Sequence, residues 1–289
     1  MKALNRILVP VDFSPRCEGA VRYAHAVAGR SQAELTLLHV APLVQFDFAA
    51  VHPTRETLLT RTEAQEADRR QALENFMAES QNGFRVNRVV VSGDPADQIV
   101  RYAHAESMNL IVMPTHGYSP LRRFLIGSVT AKVLHDSEIP VWTGVHLGEP
   151  ANPNFSLRHA LCAIDLGPQS LRVLEWARHI SEEFGTRLTI VHATSELGED
   201  VADFVRPEWR VSLANRVRQR ITELQEKAGT NAVVEVQNGE AHKVVSAISQ
   251  RLTPDLVVIG RGSTSGMFGR LRANSYAIIR ESPCPVVSV

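Results

Sequence analysis

An excess of charge of one sign, paired cysteines and long apolar runs are all missing from this sequence. Over 289 residues, 31 lysines and arginines stand against 31 acidic residues. No overall field draws a polyanion to the chain, so neither nucleic acid nor an anionic membrane is an expected partner. Cys17, Cys162 and Cys284 are odd in number, far apart and never in a C-x-x-C pair. That excludes a disulfide framework and a structural zinc site, and fits a reducing, cytoplasmic setting. The first apolar run, Ile7 to Val9, is interrupted by Pro10 and Asp12; it is too short for a signal segment or a membrane span, and no export is expected. The common enzyme signatures are missing as well: no phosphate-binding G-x-x-x-x-G-K-[ST], no G-x-G-x-x-G opening the first helix, no G-x-S-x-G nucleophile elbow. The 11 histidines are scattered and form no H-E-x-x-H, so no metal site and no catalytic residue is expected.

What the chain does contain is a repeat. Arg6 to Ser14, with Asp12 closing an apolar run, is echoed by His159 to Gly167 around Asp165, and Leu35 to Val40 with His39 is echoed by Leu188 to Ala193 with His192. Both matches lie at one spacing, so they set the register of two diverged copies. Farther on, Ser92-Gly93-Asp94 aligns with Asn238-Gly239-Glu240, and Leu110 to Pro114 with Leu256 to Gly260. The second copy is shorter between His192 and Gly239, where the first carries a longer connection over 41–52, as a variable surface loop would.

Each copy alternates short Val-, Ile- and Leu-rich runs with longer segments of helical period. Strands are expected near 5–11, 34–40, 85–91, 109–114 and 140–145, with helices near 15–30, 55–80, 95–106 and 128–136. The second copy places strands near 159–165, 187–193, 232–237, 255–260 and 285–289. Strands that do not alternate apolar with polar are covered on both faces, and right-handed crossovers then produce a doubly wound parallel sheet. The fold expected is α/β: two tandem doubly wound open parallel five-stranded sheets, in units of 1–146 and 155–289. The stretch 147–154, with Pro150 and Pro153, reads as their linker.

Ligands in such sheets sit at the carboxyl ends of the strands. Asp12 and Asp165 stand there, each followed by helix-entry residues, Ser14-Pro15 and Gly167-Pro168; each aspartate serves its loop or helix cap, or a ligand. After the fourth strand of copy one, Met113-Pro114-Thr115-His116-Gly117 leads through nine residues to Gly127-Ser128-Val129-Thr130. Backbone N–H groups, the helix dipole and the Ser128 hydroxyl can together hold phosphate oxygens there, with Gly127 allowing close approach. The structural alternative is a glycine turn with Ser128 as the N-cap. His39 and His192 read as packed, hydrogen-bonded residues. His116 lies inside the candidate loop, where it could touch a terminal phosphate or assist its hydrolysis. Arg122-Arg123 and Arg270 with Arg272 occupy matching places and read as solvated surface or as attraction for phosphate.

At these residues the chain resembles the universal stress protein family, as two tandem domains covering nearly all of it. The likeness rests on Ile7 to Ser14, on Leu38-His39-Val40 and on the loop from Gly117 to Ser128. The resemblance implies an adenine nucleotide α-hydrolase-like fold with strand order 3-2-1-4-5 in each unit. It also implies ATP, alone or with Mg2+, as the ligand, and a regulatory role in the stress response. Pro10, Val11, Asp12 and the main chain at Val40 would face adenine and ribose. Met113, Pro114, Thr115, His116, Gly117, Gly127, Ser128, Val129 and Thr130 would surround the phosphates. Pro114 stands where the family's nucleotide-binding members carry the first glycine, and proline offers no N–H, so weakened or altered binding is expected.

Copy two keeps the first glycine, Gly260, but has Ser263 at the second and Ala273-Asn274 in place of Gly-Ser. Ala273 would crowd a phosphate while Asn274 would still cap the helix, so copy two is expected to be a structural partner without ATP. An interaction scaffold with vestigial pockets, or a slow ATPase using His116, are the alternative functions. The last strands, near 140–145 and 285–289, would be edges, paired with each other as a pseudo-twofold dimer or with a second chain in a homodimer.

Overall fold

The computed structural model describes residues 4–42, 55–78, 86–116, 126–144, 147, 156–194, 207–261 and 273–289. In the first copy, β1 (Arg6–Pro10), α1 (Pro15–Ser31), β2 (Glu34–Ala41), α2 (Arg55–Asn75) and β3 (Val86–Ser92) come first; α3 (Pro95–Ala105), β4 (Leu110–Val112), α4 (Ser128–Asp136) and β5 (Val141–Thr143) complete it. The second copy runs β6 (His159–Ala163), α5 (Ser170–Phe184), β7 (Arg187–Thr194), α6 (Pro207–Ala228) and β8 (Val233–Asn238). It closes with α7 (Ala241–Leu252), β9 (Leu256–Ile259), α8 (Ala273–Glu281) and β10 (Val286–Ser288).

Period-two geometry explains why the strands read as unbroken apolar runs. Ile7 and Val9 of β1 join one core layer, with α1 on that side, while Leu8 joins the other beneath α3 and α4. In β9, Leu256 and Val258 go one way and Val257 and Ile259 the other, all buried. With an apolar layer on each face, both sides of the sheet are predominantly apolar, and the few buried polar residues on its strands include Thr36, His39, Thr189 and His192. Local chemistry sets the helix starts. Ser14 caps α1, its hydroxyl accepting from the Cys17 N–H, with Pro15 following; Asp94 caps α3 in the same way, accepting from the Asp97 N–H, with Pro95 following.

Each copy has strand order 3-2-1-4-5, and the two orders join into one ten-stranded sheet, β3-β2-β1-β4-β5-β10-β9-β6-β7-β8. All its neighbours are parallel except β5 and β10, which pair antiparallel with Trp142 opposite Val287. The expected edge strands therefore satisfy each other within one chain, consuming the edge that a homodimer through the last strands would use.

Three expectations are adjusted. The second helix ends at Asn75, short of residue 80, because Met77 takes a left-handed conformation with φ of 54°. The fourth strand stops at Val112, and Pro114, which has no N–H, cannot extend its ladder. Leu147, at the head of the expected linker, is fully buried in the core, while 148–154 lie outside the described residues. Among the described residues, no helix is long and apolar enough to cross a membrane.

A buried arginine straddles the seam between the copies. Arg261 follows β9 and is 3% exposed. Its guanidinium donates to the carbonyls of Ser137 and Ile139 in copy one and to the Ser288 carbonyl (2.8 Å) and hydroxyl (3.2 Å) in copy two. Planar, many-donor geometry lets arginine gather several carbonyls that no apolar residue could satisfy. Replacing Arg261 by Ala should therefore cost about 2–4 kcal/mol of stability in urea unfolding, since buried acceptors would lose their partner. Replacing exposed Arg70, whose contact with Glu66 is a surface ion pair, should leave the urea midpoint nearly unchanged.

Candidate functional site

At the carboxyl ends of β1, β2 and β4 the first copy opens a cavity of about 340 Å³. Its walls contain Pro10 at the end of β1 with Val11 and Asp12 just after it, Val40 from β2, and Met113, Pro114 and His116 following β4. Gly127, Ser128, Val129 and Thr130 line it at the start of α4. Thr115 stands behind this wall, buried, with its hydroxyl 2.9 Å from Nδ1 of His116. Gly117, together with Arg122, Arg123, Ser263, Arg270 and Arg272, lies outside the described residues.

The β1 end is a tight turn built on the aspartate. Asp12 Oδ1 accepts from the Ser14 N–H at 2.9 Å, and Phe13 between them has φ of 62°. Copy two repeats the device, with Asp165 Oδ1 accepting from the Gly167 N–H at 2.8 Å around Leu166, φ 59°. Each aspartate thus holds its loop, by the side-chain mimicry of a turn that Asp favours, and Asp12 also stands exposed at the cavity wall.

The α4 end is an open helix terminus. Gly127 is its N-cap, with ordinary backbone angles and no side-chain cap, so Ser128 is the first helical residue rather than the cap. The helical ladder begins with the Ala131 N–H donating to the Gly127 carbonyl at 2.8 Å. The N–H groups of Ser128, Val129 and Thr130 precede it and have no intrahelical acceptor, at the positive end of the dipole. The Thr130 hydroxyl donates to the Pro114 carbonyl at 3.0 Å, tying the helix start to the end of β4.

Several wall residues were not expected as site residues: Phe13, Arg69 from α2, and Pro95 and Ile99 from α3. Phe13 enters from the turn after β1; the other three approach from helices, and nothing local in the sequence marks which helix face closes over which strand end. His39 is packed and hydrogen-bonded as expected, its Nδ1 2.8 Å from the Val11 carbonyl, and it also lines the cavity. Burial, reinforced by Arg69 and opposed by the Val11 hydrogen bond and Asp12, holds the His39 pKa below its usual range; burial and then Arg16 do the same for His116. Cys17 also reaches the wall, but burial and then Asp12 push its thiol up to about 12, so it offers no thiolate. Among the described residues, no group of three or more His, Cys, Asp or Glu is placed to hold a metal.

The matching cavity of copy two is about 120 Å³. Val173 of α5 presses on the end of β9, 3.1 Å from where a Cβ on Gly260 would sit, and the Ser170 hydroxyl donates to Asp165 at 3.1 Å. Asn274 is the second residue of α8, inside the helix rather than at its cap. The Ser275 hydroxyl donates to the Gly260 carbonyl at 3.2 Å and takes the part that Thr130 plays in copy one.

The lowered histidines give stability a pH dependence of definite sign. An unfolded chain protonates its histidines near pH 6.5, whereas His39 and His116 resist protonation in the fold. Their neutral forms therefore sustain full stability above the unfolded value, and stability is lost as pH falls through it toward the folded values. Asp94 and Glu240, lowered by their hydrogen bonds, act only in the carboxylate range. The urea midpoint should accordingly be lower at pH 6 than at pH 7.5, and the difference should shrink in a His116→Gln variant; a midpoint independent of pH would contradict the buried neutral state.

Comparison with known proteins agrees with this geometry. The universal stress protein family model matches residues 3–143 and again 156–289. Universal stress protein MJ0577 of Methanocaldococcus jannaschii is 31% identical over 151 residues, spanning 47% of this chain and 92% of that protein. A universal stress protein of Mycolicibacterium smegmatis is 26% identical over 98% of this chain and 96% of its own length. In fold, the crystal structure of a universal stress protein from Archaeoglobus fulgidus superposes with a TM-score of 0.68 at 24% identity, covering 99% of this chain and 98% of that one. With the family's pattern matched separately in each copy, and the two copies joined through β5 and β10, this chain belongs to the universal stress protein family as a tandem two-domain member.

Proposed function

We propose that this chain is a regulatory protein of the stress response that binds one adenine nucleotide, ATP in the first instance, in the copy spanning 1–146, while the copy spanning 155–289 is its structural partner. The observation that carries this reading is the contrast between the two cavities. At about 340 Å³ the first falls within the size range of small-molecule sites, and at about 120 Å³ the second falls below it. The first also joins the two chemistries that a nucleotide needs. Ser128, Val129 and Thr130 offer main-chain donors at a helix start, where phosphate is favoured. Val11, Val40, Pro95 and Ile99 offer an apolar slot for a base.

Pro114 cannot donate, and its carbonyl is engaged by Thr130; the phosphates would therefore rest on α4 more than on the end of β4. Asp12 is the one carboxylate among the described wall residues, so Mg2+ would enter with the phosphates rather than on a carboxylate cluster of the protein. Among the described wall residues His116 has no acid–base partner beside it, which supports binding over turnover as the reading. Three free, buried cysteines suit a cytoplasmic setting.

Denaturing freshly purified protein and identifying the released nucleotide by chromatography and mass spectrometry tests the proposal. About one equivalent per chain is expected. It should be lost in Gly127→Glu, where a carboxylate at the helix start repels phosphate. That variant should still fold, because Gly127 has a φ of −62° and an added Cβ would meet its nearest neighbours at 3.4 Å. Two equivalents would refute the assignment of copy two. No released nucleotide, together with no thermal shift on adding ATP, would refute nucleotide binding altogether.

A further inference from the structure

The two helices that supply the larger cavity with its slot and its phosphate donors lie side by side. Pro95 and Ile99 of α3 and Ser128, Val129 and Thr130 of α4 line the cavity, and Ile99 and Val133 are buried in the same core layer. Next to these wall residues a charged group spans the two helices. Lys132 stands four residues after Ser128, one turn along the same face of α4. Its Nζ lies 2.6 Å from Asp97 Oδ1 and 3.3 Å from Asp94 Oδ1. Asp94 is also the N-cap of α3, its Oδ1 accepting from the Asp97 N–H at 3.1 Å, and Pro95 follows it directly. The Asp97 N–H and then Lys132 hold Asp94 below the usual carboxylate range, while Asp97 and then Asp94 raise Lys132. Asp94 and Lys132 therefore stay charged together over a wide pH range.

We infer that Lys132 is a positioning residue of the nucleotide site, which bridges α4 to α3 through Asp94 and Asp97 and keeps those carboxylates from repelling the phosphates. This deepens the proposed function and rests on it. The side chains are about half exposed, at 45% for Lys132, 56% for Asp94 and 54% for Asp97. Ion pairs in water add little to folding stability, so the fold itself does not explain a lysine shared by two acids. A polyanion arriving at the start of α4 changes the balance. With Lys132 in place one of the two carboxylates is balanced, and without it neither is. The ammonium also stands on the helix whose first N–H groups are offered to phosphate. Its removal makes the potential at that place more negative, and binding of a polyanion weakens.

Copy two provides an internal comparison. Ala277 is the fifth residue of α8, as Lys132 is of α4, and has no charge to offer. Glu240, aligned with Asp94, makes no side-chain cap bond and pairs with Lys243 three residues on, at 3.0 Å. The acid that starts this helix is thus balanced from α7 itself. The lysine reaching across from the neighbouring helix belongs to the copy whose cavity has ligand size.

The test uses the full chain freed of bound nucleotide and titrates ATP calorimetrically at about 50 mM and at about 0.5 M KCl. At the lower salt Lys132→Met should bind ATP about 3- to 10-fold more weakly than the wild type, as loss of one charge near a polyanion implies. At the higher salt, where the Debye length has fallen to about 4 Å, the gap should close to about 2-fold or less. Lys132→Arg keeps the charge and the reach and should bind like the wild type. Adding Asp97→Asn to Lys132→Met removes a carboxylate left unbalanced and should recover part of the affinity. The urea midpoint of Lys132→Met should stay close to that of the wild type, which separates an effect on the ligand from an effect on the fold.

If Lys132→Met binds ATP as tightly as the wild type, the inference is overturned while the nucleotide reading stands. A loss of the same size at both salts, or one that Lys132→Arg shares, overturns it equally, because it reports packing rather than charge. If the wild type binds no ATP, both fall.

Discussion

A parallel strand covered on both faces must find all its backbone partners in neighbouring strands, and a sheet of such strands must do something about its edges. In each copy the short fifth strand is the exposed problem: three residues, all buried, with an apolar layer above and below. Antiparallel pairing of β5 with β10 solves it for both copies at once. Everything else in the molecule depends on that junction. It merges two half-sheets into ten strands, makes each core layer continuous from one copy into the next, and brings the ends of β9 and β10 against the segment before β5, where Arg261 gathers carbonyls from both sides.

Duplication produced near-identical frames with unequal interiors. The aspartate turn after the first strand, the histidine bonded to the carbonyl preceding that aspartate, and the hydroxyl tying the helix start to the fourth strand all recur. Those features are structural, because they persist where the cavity has shrunk. What distinguishes the first copy is the glycine N-cap at α4 and the presence of Arg69 and Phe13 on the wall of its cavity. In copy two, Val173 is packed against the end of β9. A cavity of this kind is sensitive to single contacts, since protein interiors are close-packed and one side chain displaced inward removes the space that a ligand would use.

How much of the site was legible in the chain depended on whether its cause is local. Of the wall residues on the strand ends, Asp12, Met113, Pro114 and His116 could be named because strand termini follow from apolar runs and turn residues, while Pro10, Val11 and Val40 came with the family resemblance. The helix over 128–136 lies where expected, and the alternative that made Ser128 its cap fails, because Gly127 and Ser128 are both acceptable N-caps and only the backbone angles separate them. Thr115 fell behind the wall because alternation at an irregular strand end does not tell which way a side chain turns. Arg69, Pro95 and Ile99 were invisible, since they belong to helices whose contacts with β1 and β2 are distant in sequence.

By itself, then, the sequence determined the duplication, the alternation of strands and helices, the burial of the sheet on both faces and the edge at which a ligand would sit. These follow from periodicity and turn chemistry, which act over a few residues. The tertiary structure alone decided that β5 pairs with β10 in the same chain, that one cavity is about 340 Å³ and the other about 120 Å³, and that the His39 ring is held by the Val11 carbonyl. Those depend on distances between groups brought together only by packing, and no local pattern records them.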